Sequence, residues 1–278
     1  MRPCFLPAVL ALGLLAAPAA PAAESYQACT GTISALPVVV SSPGTWCLQS
    51  DLSTAIATGN AITVSVNNVT IDCNGFKIGG LAAGVATLAQ GVRSTRLNTT
   101  VRDCRIRGFY FGVRLDGGGA VVEDSRFDGN PYAAVLVDDA VVRRNIFEGN
   151  GGTTRDPNSL SIQATGAAVI EDNIVISGFT THAAGSVFAI FAAGPGPSIS
   201  RNRVGGLTLP PGGSGGTYGI TVGVEATVEG NHLHGSSTPL TVAISCNNTT
   251  SLAARNLYTK VAGPVIGCTG LDNLGPSP

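Results

Sequence analysis

Lys77 and Lys260 are the chain's only lysines, no basic run occurs, and the net charge is −1. That leaves no electrostatic footprint for nucleic acid. No segment repeats its apolar residues at the 3.6-residue period of a helix, and there is one methionine among 278 residues, so a helical core is excluded. Beyond the N-terminal segment no apolar run is long enough to span a bilayer. No Cys-x-x-Cys pair is present, which argues against a structural zinc or thioredoxin-like centre. The three histidines are thinly spread, with His232 and His234 two apart and His182 in a different stretch. Two imidazoles on one strand face could begin a metal site, but no third ligand stands nearby, and solvated histidines are the expectation.

What the chain does have is glycine, 37 residues of it, together with Val, Ile, Thr and Asn. β-Branched residues fit pleated strands, and Gly with Asn fits turns. The opening "MRPCFLPAVLALGLLAAPAAPAAES" holds one Arg, a short apolar run and small residues at Ala20 and Ala22. It reads as a Sec-type leader over residues 1–22, with a mature secreted or periplasmic domain over 23–278. Cys4 leaves with that leader. Cys29, Cys47, Cys73, Cys104, Cys246 and Cys268 remain, an even set that in an exported chain reads as disulfides.

The stretch "AVVEDSRFDGN" at 120–130 is followed twenty positions later by "AVVRRNIFEGN". Taking Asn145 as zero, apolar residues stand at minus three, Val142, and plus two, Phe147. The same frame fits zeros at Asn74, Cys104, Ser125, Asn173, Asn202, Asn231 and, more weakly, Asn256. Spacings run from 20 to 30 residues, a range belonging to solenoids and arrays. A second apolar alternation, such as "GVRL" at 112 or "GITV" at 219, lies about twelve residues upstream of most zeros. Two or three short strands per repeat suit one turn of a parallel β-helix, whereas a propeller blade needs more residues.

The inward places minus three and plus two are an odd number apart, so strand alternation breaks at zero and the chain bends. A polar residue at an inward bend is costly alone. Stacked on its equivalent about 4.8 Å away it is satisfied, and an asparagine ladder is expected.

These repeats, with "PGTWCLQSDL" and "AITVSVNNVTIDCNGFKIGG", resemble exported bacterial right-handed parallel β-helix proteins of the pectate-lyase-like and NosD-like class, over roughly residues 29 to 275. The fold expected is all-β, of about eight coils with three short parallel sheets. On the coil, equivalent residues of adjacent turns lie within disulfide reach, which suggests Cys73 with Cys104; Cys246 and Cys268, 22 apart and each just after an apolar strand, would bridge the last two coils, and Cys29 with Cys47 would close the N-terminal end.

Outward columns follow from the same frame. Two places before zero stand Asp72, Arg102, Glu123, Arg143, Glu171, Ser200 and Glu229, alternating in sign for five coils and read as structural. On the "GVRL" strand, Arg93 stacks on Arg114, and Asp116 on Asp138 with Asp139 beside it. In the lyases that the chain resembles, such a strand floors a sugar cleft. The resemblance would make Arg93 or Arg114 the base and carboxylate clamp, and Asp116, Asp138 and Asp139 substrate or Ca²⁺ ligands. Simple Arg–Asp ion pairing is the competing reading. Asp128 and Glu148, on adjacent coils among Arg105, Arg107 and Arg126, could form a glycosidase pair or be neutralised by those arginines.

The catalytic signatures of polygalacturonases, alginate epimerases and pectate lyases are missing: "VDDA", "NHLHG" and "RDPNS" reproduce none of them. Insertions at 149–159, 178–186 and 205–218 all follow the plus-two residue and could wall a groove. The expectation is therefore a monomeric extracytoplasmic protein binding or processing acidic polysaccharide. The alternative is a non-catalytic surface or envelope scaffold. Whether it is an enzyme stays open at this stage.

Overall fold

The computed structural model describes residues 29–275 with the exception of 237; the expected leader lies outside the described residues. Among them are thirty short strands and one 3₁₀ turn, Leu81–Ala83, and no helix is long and apolar enough to cross a membrane. The strands form three parallel sheets of ten, eleven and nine members. Each turn visits them in a fixed order. One turn runs through Gln90–Ser94 in the first sheet, Thr99–Arg102 in the second and Arg105–Arg107 in the third. The next runs through Phe111–Leu115, Val121–Glu123 and Arg126–Asp128. The nine-stranded third sheet gives about nine turns, one more than the motif frame. The extra turn is N-terminal, and its strand Leu52–Ser53 follows no Asn motif.

The core is three files of apolar side chains, one per sheet. In the first, Val92, Val113, Val135, Ile162, Ile190 and Ile220 pair in sequence. In the third, Ile106, Phe127, Phe147 and Val175 do so, and the Phe127 and Phe147 rings stack at 5.0 Å. These side chains are essentially unexposed, so each turn buries its inner face only against its neighbours.

The expected ladder occupies the corner between the second and third sheets. Asn145 donates its main-chain N–H to Asn173 Oδ1 at 3.0 Å and its Nδ2 to Val122 O at 2.9 Å. Asn173, Asn202, Asn231 and Asn256 continue the file. Asn273, which the sequence frame missed, closes it. Toward the N-terminus Ser125 donates its N–H to Asn145 Oδ1, and Cys104 donates its N–H to Ser125 Oγ.

The bend comes from the residue before each ladder position, which is left-handed: Asp124 at φ 51°, Arg144 at 55°, Asp172 at 56° and Arg201 at 56°. Non-glycine residues there cost about 1–2 kcal/mol, which the ladder bonds offset.

Asn74 does not belong to the ladder. Its corner, residues 73–76, is two residues longer than the corner 103–104, because both Asn74 and Gly75 take positive φ. Asn74 is exposed, Cys73 holds the inward place, and Ile78 rather than Phe76 lies opposite Ile106.

A second buried pair was also missed. At the corner after the third sheet, Phe109 donates its N–H to Asn130 Oδ1, and Asn130 donates to Asn150 Oδ1. The "GN" ending both repeated sentences was its signal.

All three disulfides join the expected partners, with Cα separations of 5.8 Å for Cys29–Cys47, 4.7 Å for Cys73–Cys104 and 5.1 Å for Cys246–Cys268. The charge column is in register as expected: Arg102 pairs with Asp72 at 2.9 Å and Arg143 with Glu123 at 2.8 Å. The left-handed arginines add a second column, Arg144 to Asp124 and Arg201 to Asp172.

Asn173→Ala removes the acceptor of two buried donors of Asn145. It should lower stability by about 3 kcal/mol in urea unfolding, against about 1 kcal/mol for exposed Asn74→Ala. Hydrogen bonds from Arg144 and Arg201 are the largest cause holding the Asp124 and Asp172 carboxyls below their usual range. With folded values depressed, that stability is present above the unfolded pKa of about 4 and is lost as pH falls through the folded values. Circular dichroism on acidification should therefore show the Arg144→Gln, Arg201→Gln double variant losing less stability below about pH 4 than the parent protein.

Candidate functional site

The outer face of the first sheet carries two in-register columns. One runs Gln90, Phe111, Ala133, Leu160, Phe188, Tyr218; the other runs Arg93, Arg114, Leu136, Gln163, Phe191, Thr221. Between the columns the chain turns small residues inward, and at Gly91 there is no room for more: a Cβ would meet Gly112 O at 2.3 Å.

Aromatic side chains concentrate here. Tyr110 stacks on Tyr132 with ring centroids 4.8 Å apart, and Phe111 meets both edge-on. Three turns further on, Phe188 stacks on Tyr218 at 4.8 Å and meets Phe191 edge-on at 5.5 Å. These six are a large share of fifteen aromatic residues in the whole chain, so the face is a platform and not scattered surface. The signal in the sequence is "FAIFA" at 188–192 and "TYGITV" at 217–222.

Polar atoms on this face are left without partners. Gln90 Oε1, Gln163 Oε1 and Thr221 Oγ1 are buried and accept or donate no hydrogen bond. Groups of that kind in a folded protein call for water or a ligand.

The insertions stack on one another along the edge where these strands begin. Gly151, Phe179 and Thr208 bridge in parallel, Thr180 Oγ1 donates to Pro157 O at 2.7 Å, and Ser214 donates its N–H to Ala183 O at 2.7 Å. They wall the aromatic stretch. The first also reaches back to earlier turns, with Tyr110 Oη donating to Asp156 Oδ2 and Arg155 Nε to Ala86 O. Burial first, and then Asp156, pushes the Tyr110 phenol up; burial does the same to Tyr132.

Arg93 and Arg114 lie side by side, and Asp116 takes both. Arg93 Nη2 is 2.6 Å from Asp116 Oδ2, and Arg114 Nε is 3.2 Å from the same oxygen. Arg93 Nη1 donates to Ser94 O at 2.6 Å. Arg114 lies over the Phe111 ring at 5.2 Å, and its two Nη groups make no ion pair or hydrogen bond among the described residues.

Asp138 and Asp139 do not join Asp116. Asp138 Oδ1 accepts from Thr165 Oγ1, and Asp139 Oδ1 accepts from the Ala167 N–H, both at 2.8 Å. Calcium takes six to eight oxygens, and among the described residues no three His, Cys, Asp or Glu side chains converge on one point. The expected Ca²⁺ set therefore does not come together: Asp116 faces the arginines, and Asp138 and Asp139 accept from Thr165 and Ala167 of the adjacent coil.

Elsewhere, Asp128 and Glu148 are neighbours in register, but Asp128 pairs with Arg107 and Glu148 with Arg126, as the neutralised reading has it. His232 and His234 share one strand, and His234 Nδ1 meets Thr259 Oγ1.

A family model described as "Right handed beta helix region" matches residues 56–257. Among solved structures the chain is similar to a tailspike protein mutant of E. coli bacteriophage HK620 in complex with pentasaccharide. The TM-score is 0.52 at 14% identity, covering 89% of this chain and 55% of that one. A second mutant of that tailspike, also with pentasaccharide, gives 0.51 at 15% identity, over 90% and 57%. PfbA, a surface adhesin of Streptococcus pneumoniae, gives 0.47 at 11% identity, over 84% and 63%. The chain thus spans little more than half the tailspike length, and at these identities the likeness is one of fold. No curated protein matches the sequence.

Asp116→Asn would leave two adjacent half-buried guanidiniums without their shared anion. Urea unfolding should show a loss of about 1–2 kcal/mol, partly recovered by added salt, which screens the repulsion; an unchanged midpoint would mean the pair is not held by Asp116.

Proposed function

Because the chain belongs to the right-handed β-helix family, whose common fold supplies a scaffold and not a chemistry, we propose that it binds an extended, carboxylate-bearing glycan on the outer face of its first sheet. The observation that carries this reading is the pair of stacked aromatic platforms on one sheet face, with the polar side chains of Gln163 and Thr221 in register beside them. Pyranose rings present C–H faces to aromatic rings and hydroxyls to amides. Gln163 lies between Leu136 and Phe191 in one column, with Thr221 next, so stacking and hydrogen bonding alternate along the coil axis. Arg114 supplies the charge. Its free Nη groups match the fork geometry of a carboxylate, and beside Phe111 they sit at the end of the platform.

Binding is favoured over cleavage. Proton abstraction by Arg93 would have to break its contacts with Asp116 and Ser94 O, and Asp138, at the end of its strand in the same sheet, already accepts a hydrogen bond from Thr165 Oγ1. The pentasaccharide in the tailspike complexes belongs to those proteins; it supports the present reading through shared coil architecture. The reading puts the protein outside the cytoplasm, supported by three disulfides of a kind that persist in oxidising compartments.

A panel of neutral and uronate-containing polysaccharides, titrated calorimetrically, tests the proposal. Phe191→Ala and Tyr132→Ala should each weaken binding about tenfold, and Arg114→Gln should abolish the preference for uronate over neutral chains. No binding across the panel, or unchanged affinity in the aromatic variants, would leave this face as a protein-binding scaffold.

A further inference from the structure

The third sheet carries a second arrangement that glycan stacking on the first does not use. Lys77, Arg105 and Arg126 are direct register partners on three successive strands, at the ladder spacing of about 4.8 Å. On the second sheet the same chain alternates sign between neighbouring turns. Here three cations stack, which repels. The outer members are relieved: Lys77 pairs with Asp51 at 3.3 Å, and Arg126 with Glu148. Arg105, the middle one, makes no ion pair among the described residues.

These groups line a groove of about 740 Å³ together with Arg107, Asp128 and Glu148. Arg107 is only partly satisfied. Its Nη2 pairs with Asp128 at 2.9 Å, while its Nε is buried with no hydrogen-bond partner. A second concavity of about 280 Å³ shares Arg105 and Arg126. The three acidic residues of the groove each answer one cation, so the lining keeps one uncompensated positive charge, centred on Arg105.

We propose that this groove binds a tetrahedral oxyanion, a sulfate or phosphate group, with Arg105 as its principal contact and Arg107 and Arg126 flanking it. Several oxygens on one centre can accept from neighbouring guanidiniums simultaneously, which a single carboxylate does less well. The anion also relieves the repulsion that the stacked cations otherwise retain. No residue is shared with the first-sheet platform, so either site can fail without the other.

The test uses the full chain, Arg105→Gln, and Arg201→Gln as a control on a different column. Inorganic sulfate and phosphate are titrated against chloride at matched ionic strength, alongside a sulfated oligosaccharide and its unsulfated counterpart. Arg105→Gln should weaken oxyanion binding about tenfold, Arg201→Gln should not, and in chloride Arg105→Gln should melt no lower than the parent, since it removes a repulsion. Tighter binding of the sulfated oligosaccharide than of inorganic sulfate assigns the site to an ester on a chain, and equal binding assigns it to the free ion. The proposal is overturned if Arg105→Gln binds as the parent does, or if neither anion binds saturably.

Discussion

Every strand pairing between turns among the described residues is parallel and in register. A residue's nearest neighbour in space is therefore its own counterpart one repeat away. That constraint decides what each column can contain. Inward columns must be apolar or self-satisfying, and Asn satisfies itself because its amide donates and accepts along one line. Val92 through Ile220 and Asn145 through Asn273 are two solutions to the same requirement.

Outward columns face the same rule with charge. Opposite signs on successive turns attract, and the second sheet obeys this from Asp72 to Glu171. The left-handed corner adds its own pairs, with Arg144 and Arg201 reaching back to Asp124 and Asp172. An arginine with positive φ is costly by itself, and a bidentate pair offsets part of that cost. Departures from alternation stand out against this background: Arg93 on Arg114 with one shared carboxylate, and Lys77 on Arg105 on Arg126 in the charged groove.

The same stacking that builds the core also builds the surface platform. Once Phe188 and Tyr218 occupy equivalent places on adjacent turns, their rings are held near van der Waals distance by the backbone alone. Rings so placed are ordered by the fold itself, and the proposed glycan site would gain from that pre-organisation. The insertions stack by the same logic, and so they form a continuous wall from three separate segments.

Much of this was legible in the chain. The repeat frame, the inward and outward places, the alternating charge column and the Cys73–Cys104 pair all follow from neighbours one turn apart, and a period in sequence is enough to find them. Where a corner changed length the frame failed, as at Asn74, because the corner is two residues longer and leaves the inward place to Cys73. What tertiary structure alone decided is reach. Asp116 drew both arginines to itself, Asp156 crossed 46 residues to Tyr110, and Asp138 and Asp139 turned to Thr165 and Ala167 instead of a shared ion. Those choices depend on side-chain direction and loop path, and neither is encoded in the period of a repeat.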